Sequence, residues 1–300
     1  MDWFVNYWHA PHRATSLNLV VARVFVCSLA AWKVFAYPFS GLADYPAYLI
    51  TSGAPGLWKR WPEYGQWIGW EQTLAAGCLV ACAAGLAPGI SAFGAAALVS
   101  HLTAVAWPMS YEKTWLPTIY FLLLYGLHRH EDPWTVPRPR RAAVMAFSSG
   151  IPGAEERAPL DTLKWFLVTI AAIYFFAGLH KLGEGGPWIE WASPVNMARM
   201  LERRAAACGV ELPALAAWLI GRPWLLAVLG CGTVILELGL LVAVLTNRLL
   251  TPCLLCLAAM HLGIWATMSV NYVTDFVSMY LVFLPWDSLV TAARRRGRAP

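Results

Sequence analysis

Lys181 and His180 close the apolar run 173–182 (IYFFAGLHKL), and they are its only ionisable side chains apart from the Tyr174 phenol. A lysine at the centre of a membrane helix costs about 2.5–3.5 kcal/mol on insertion scales. Such a residue either snorkels its ammonium to the headgroups or serves a site. Proton abstraction is the chemistry it could do. That requires a neutral amine, a state favoured by an apolar setting and by a charged His180 beside it. Further ionisable groups fall inside other apolar segments. Glu237 sits in VILELGLL and His261 in AAMHLGIW, with His101 a weaker case of the same kind. Each of these could equally be a packed side chain with a hydrogen bond between helices. Together, one lysine, two histidines and a carboxylate inside apolar segments suggest an internal site for a lipophilic ligand. Arg23 and Lys33 are ten residues apart, close to three helical turns, and so share a face. Arg23 lies deep enough to need a partner, and Glu237 is the expected one.

Several chemistries leave no trace. The chain has no HExxH and no tight Cys/His cluster, so no metal is expected. It has no phosphate-binding loop, no GxSxG and no dinucleotide fingerprint. Cys253 and Cys256 have CxxC spacing, but they sit in an apolar stretch with no charged neighbour to activate a thiol. Helix packing is the expectation for them. Six of the seven cysteines lie in apolar segments, which argues against an exported disulfide framework.

The elements that must position these groups follow from composition. Of 300 residues 59% are hydrophobic and 13% charged, and the mean hydropathy is +0.53. Soluble domains average about 25% charged residues, so too little polar surface is available to cover a globule of this length. The 17 tryptophans and 11 tyrosines suit a headgroup belt. The reading is an integral membrane protein. Its net charge of +5 collects in a few loops and the C-terminal tail, so nucleic acid is not an expected partner. The first residues do not resemble a cleavable signal.

Eight apolar segments approach spanning length, at 16–37, 69–87, 90–107, 115–128, 162–182, 224–246, 249–269 and 272–290. Backbone groups in hydrocarbon must be satisfied within each segment, and the segments are continuously apolar, which excludes a β-barrel. The expected fold is therefore all-α: a polytopic transmembrane bundle of about eight helices over 1–300, forming a single membrane domain. The 129–161 stretch, rich in Pro, Arg and Ser, reads as a flexible cytoplasmic loop. The 183–223 stretch reads as an outer-face loop with short amphipathic helices near 194–207 and 213–220. Arginines at 138, 140 and 141 and at 294–296 put that first loop and the C-terminus in the cytoplasm, with the N-terminus on the same side. Arg199, Arg203, Arg204 and Arg222 in the outer loop run against the rule.

The run Tyr174–Leu182 resembles a signature of the vitamin K-dependent gamma-carboxylases and their bacterial relatives, the horizontally transferred transmembrane (HTTM) domain family. The family pattern is roughly YF-x-AG-x-x-KL followed by a tryptophan, here Trp188. Ser16–Phe25, Glu112–Trp115, His261 and Phe276–Pro285 resemble further family stretches in the same order. The resemblance implies that Lys181 is the base that deprotonates reduced vitamin K or menaquinone, with His180 beside it. Oxygen then turns the quinol into an epoxide, and the strongly basic species formed on the way takes a proton from a glutamate side chain that carbon dioxide attacks. His261, Glu237, Trp188 and Tyr174 are the residues expected around the quinone. Leu116-Pro117-Thr118 stands where the carboxylases have an Asn-His pair, and the expectation is of a bacterial member lacking the exported substrate-binding domain. A separate substrate-bearing protein would then be its partner, alongside membrane lipid and quinone. The alternative is a non-catalytic scaffold or lipid- and quinone-binding protein, in which the same residues hold helices together.

Overall fold

The computed structural model describes residues 16–37, 39, 64–106, 115–128, 132, 134–136, 161–183, 190–246 and 249–268. Among them the chain is all-helical. The helices are α1 (Ser16–Ala36), α2 (Tyr64–Ala83), α3 (Pro88–Ala106), α4 (Leu116–Leu127), α5 (Asp161–Gly183), α6 (Pro194–Cys208), α7 (Ala214–Ile220), α8 (Pro223–Thr246) and α9 (Leu250–Met268). Five of them, α1, α3, α5, α8 and α9, are long and apolar enough to cross a bilayer. The chain is a multi-pass integral membrane protein.

Of the eight expected spans, two lack that status and one lies elsewhere. α2 starts at Tyr64, five residues before the apolar run at 69, so its first turns are polar and aromatic. α4 has only 12 residues, about 18 Å at 1.5 Å per residue, which is short of a hydrocarbon core of about 30 Å. The expected span at 272–290 lies outside the described residues.

The outward faces are apolar. Trp32, Phe35, Trp70, Ile90, Phe176, Ile235 and Val242 are all exposed. Lipid is the solvent that matches such faces, because an apolar surface this extensive is not tolerated in water. Trp32 near the end of α1 and Trp67 and Trp70 near the start of α2 expose rings where these helices are joined, as a headgroup belt requires.

The chain divides into two compact units. One contains α1–α4 and the first turn of α5. There α1 packs on α2, α2 on α3 and α3 on α4. Small residues are buried along both of these helices, Ala22, Ala30 and Ala31 on α1 and Ala75 and Ala76 on α2. Gln72 Nε2 donates to Val34 O at 2.6 Å and ties one end of this pair. The segment after α4 is held against the α2–α3 turn. Val136 N donates to Gly85 O and Ala87 N donates to Val136 O, each at 2.8 Å. The beginning of the stretch expected to be a flexible loop is thus docked, while 137–160 lie outside the described residues.

The other unit contains the rest of α5 and α6–α9. Helices occur where amphipathic pieces were expected in 183–223. Ser193 caps α6 by accepting from Asn196 N, Pro194 fills the first turn, and Gly209 ends the helix at φ 62°. Leu201 of α6, Ala216 and Leu219 of α7 and Leu226 of α8 form one buried cluster, so both short helices lie against the longer ones.

Candidate functional site

Tyr174, Gly178 and Lys181 follow one another at four- and three-residue steps along α5, and so line one face. Gly178 faces α8 at close range. A Cβ there would lie 3.1 Å from Leu238 Cγ and 3.2 Å from Glu237 Cβ. An added methyl group would press on both of these side chains. That approach lets Lys181, one turn further on, donate from Nζ to Glu237 Oε1. The pair is sheltered: the Lys181 side chain is 20% exposed and that of Glu237 6%. Lys181 is in the last turn of α5, where the helix dipole favours a cation.

Trp191 completes the environment of the ammonium, its ring centroid 4.5 Å from Lys181 Nζ. The residue after it explains how the loop reaches this depth. Gly230 of α8 faces Ala192 so closely that a Cβ would lie 2.9 Å from Ala192 Cα. Gly230 and Glu237 are seven residues apart, two turns on one face, so the face that receives the loop also carries the carboxylate.

Two turns before Lys181, the Tyr174 hydroxyl is hydrogen-bonded to His261 Nε2 of α9, and the two rings meet edge to face at 5.9 Å between centroids. Both residues are buried. The arrangement places a cation, a carboxylate, a phenol and an imidazole on three helices of one unit. Glu237 Oε2 is buried with no hydrogen-bond partner among the described residues. It is an acceptor to which a ligand hydroxyl could donate.

Of the residues singled out in the sequence, Lys181 and Glu237 meet, and so do Tyr174 and His261. His180 is exposed at the end of α5, one helical step, about 100°, from the direction of Lys181. Trp188 lies outside the described residues. Trp191 was missed, although a second tryptophan three residues after Trp188 was the signal available. No group of three or more His, Cys, Asp or Glu side chains suited to a metal occurs among the described residues.

Arg23 corrects one expectation. Its partner is Asp132 and not Glu237, with Arg23 Nε 3.2 Å from Asp132 Oδ2. Tyr125 donates to the same oxygen at 2.9 Å, and Trp134 N donates to Oδ1 at 2.8 Å. Arg23 Nη1 donates in turn to Trp134 O at 3.3 Å. Asp132 is fully buried although it follows α4 in a polar stretch, so local hydropathy gave no sign of it. This network gives the deep arginine a counter-charge and anchors the docked segment. A second sheltered pair in the same unit joins His101 Nδ1 and Glu71 Oε1 at 2.6 Å. Compared with known protein families, curated proteins and solved structures, the chain matches none.

Proposed function

We propose that this chain is a membrane protein of the gamma-carboxylase-like HTTM kind, which binds a reduced quinone-type lipid beside Lys181. The observation that carries the reading is the sheltered Lys181–Glu237 pair beneath Trp191. A buried amine–carboxylate pair can hold its shared proton on either partner, since charge separation gains little where water is scarce. With the proton on Glu237, Lys181 is a neutral amine and can accept one from a bound hydroxyl. Glu237 Oε2, without a protein partner among the described residues, suits the role of acceptor for such a hydroxyl. A reduced quinone would supply two acidic hydroxyls and a ring that reacts with oxygen. Lys181 would receive the proton, Glu237 would orient the amine and store its proton, and Trp191 would keep water from both. Tyr174 and His261, hydrogen-bonded two turns away, could hold a second polar group of the ligand. His180 carries no step in this reading.

The setting proposed is the cytoplasmic membrane of a bacterium, with both termini inside and Lys181 toward the outer face. The reaction is quinol epoxidation or a carboxylation linked to it, with any glutamate substrate supplied by a separate protein. A second reading, a quinone-binding or purely structural scaffold, draws on the same pair, because an ion pair joining α5 to α8 also serves to hold helices together. Epoxide formation from reduced menaquinone under air separates them, comparing purified wild type with Lys181→Ala. Turnover in wild type that is lost in the variant supports the base. No epoxide from folded wild type, with quinol still quenching tryptophan fluorescence, supports the binding scaffold.

A further inference from the structure

The two sides of α6 differ in kind. Leu201 and Ala205 are buried, and Met197 and Ala198 pack on the cluster that Leu201 forms with α7 and α8. Arg199 and Arg203, four residues apart, lie about 160° and 200° around the helix from Leu201, and both are exposed. Arg204, on the flank, is exposed as well. Three arginines against one glutamate, Glu202, leave α6 with a net charge of +2. Glu190 and Glu211 lie beyond its two ends. None of the three arginines enters an ion pair among the described residues.

We propose that α6 binds the phosphate of an anionic phospholipid headgroup through Arg199 and Arg203, and that this contact steadies Trp191 over Lys181. Its place in the fold supplies the setting. α6 and α7 come between the end of α5 at Gly183 and the start of α8 at Pro223, and both of those helices are long and apolar enough to span. The short helices therefore lie at the membrane face where the two spans end. Trp218 of α7 and Trp224 at the start of α8 are exposed there, and the Arg222 guanidinium lies 3.9 Å from the Trp218 ring centroid. Exposed indoles beside arginines suit headgroup depth. A guanidinium matches a phosphate with two parallel hydrogen bonds, and an anionic headgroup brings no cation of its own to compete.

The first turn of α6 connects this face to the cover of Lys181. Asn196 Nδ2 donates to Trp191 O at 3.0 Å, and Asn196 N donates to Ser193 Oγ at 3.2 Å. Trp191 is thus tied to α6 through its backbone, while its ring faces the Lys181 ammonium. A lipid that holds α6 at the interface restrains that ring as well, whatever step Lys181 carries.

The full chain is reconstituted in bilayers of equal parts dioleoylphosphatidylglycerol and dioleoylphosphatidylcholine, released into mild detergent, and its retained lipids are counted by native mass spectrometry. Wild type should keep a phosphatidylglycerol that Arg199→Gln/Arg203→Gln loses, with an apparent affinity lower by about tenfold or more. Wild type itself should lose that lipid as ionic strength rises, so the test stands even if the variant folds poorly. Excess inorganic phosphate should not displace it. In nanodiscs, acrylamide should quench Trp191, taken as the difference from a Trp191→Phe background, less in phosphatidylglycerol than in phosphatidylcholine, and the gap should close in the double variant. No sample contains quinone, so the result is separate from that of the epoxidation assay. An unchanged lipid count in the variant, retention at high salt, displacement by phosphate, or equal Trp191 quenching in the two lipids overturns the inference.

Discussion

Removing the partners of the Lys181–Glu237 pair one at a time should have unequal effects, and their exposures say how unequal. Lys181→Met strands a carboxylate whose side chain is 6% exposed. Breaking a buried pair this way costs about 3–5 kcal/mol, and the partial exposure of Lys181 puts the expected loss at about 3 kcal/mol. Glu237→Leu leaves an ammonium that is 20% exposed and still faces Trp191. It can turn toward the headgroups, so the expected cost is only about 1 kcal/mol. The double variant leaves no stranded charge and should lose about 1 kcal/mol or less. The coupling energy is then at least about 3 kcal/mol, well above the average of about 0.6 kcal/mol for hydrogen bonds between membrane helices. Reversible unfolding of purified protein in mixed micelles of rising SDS fraction, followed by tryptophan fluorescence, measures all four corners of the cycle. Additivity within about 0.5 kcal/mol would refute a desolvated pair. So would a greater loss for Glu237→Leu than for Lys181→Met.

Three further outcomes are expected in the same unfolding assay. Gly85→Ala should destabilise by about 2–4 kcal/mol, because Gly85 has φ +75° and its Cβ would lie 2.1 Å from Arg23 Nη1 and 2.6 Å from Trp134 O. Asp132→Asn keeps an oxygen for Tyr125 but removes the counter-charge of Arg23, and should cost about 2–3 kcal/mol, with Asp132→Ala costing more. Gly230→Val should displace Ala192 from α8, lower stability by about 1–3 kcal/mol, and shift the emission of Trp191 as its ring leaves Lys181. An unchanged Trp191 contribution, taken as the difference from a Trp191→Phe background, would show that the loop is not positioned through Gly230.

The site was partly legible. Lys181, Glu237 and His261 stood out because a polar group in an apolar run must find a partner, and that cost is set locally, whereas Tyr174 came from the family resemblance. Who the partners are was not legible. Asp132 lies in a stretch whose composition suggests an exposed loop, yet it is buried, beside a segment that docks on the turn after α2 through backbone hydrogen bonds, which every sequence can offer. Cys27 and Cys82 are both buried, on two helices that pack together, and no spacing in the chain announces that. The sequence-visible CxxC, by contrast, falls on one helix with Cys256 exposed.

Sequence by itself determined the class of this protein: an all-helical, multi-pass membrane chain. The lengths of its apolar runs and the need to satisfy backbone groups in lipid are properties of each segment alone. Even the ends of α5 and α8 fall within a residue of the apolar runs at 162–182 and 224–246. Tertiary structure decided which groups meet. Gly178 and Gly230 permit two close approaches that bring Lys181 to Glu237 and Trp191 to Lys181, and Asp132, not Glu237, neutralises Arg23. Coulomb attraction and hydrogen bonding act over a few ångströms between faces far apart in the chain, so they depend on packing that no single segment encodes.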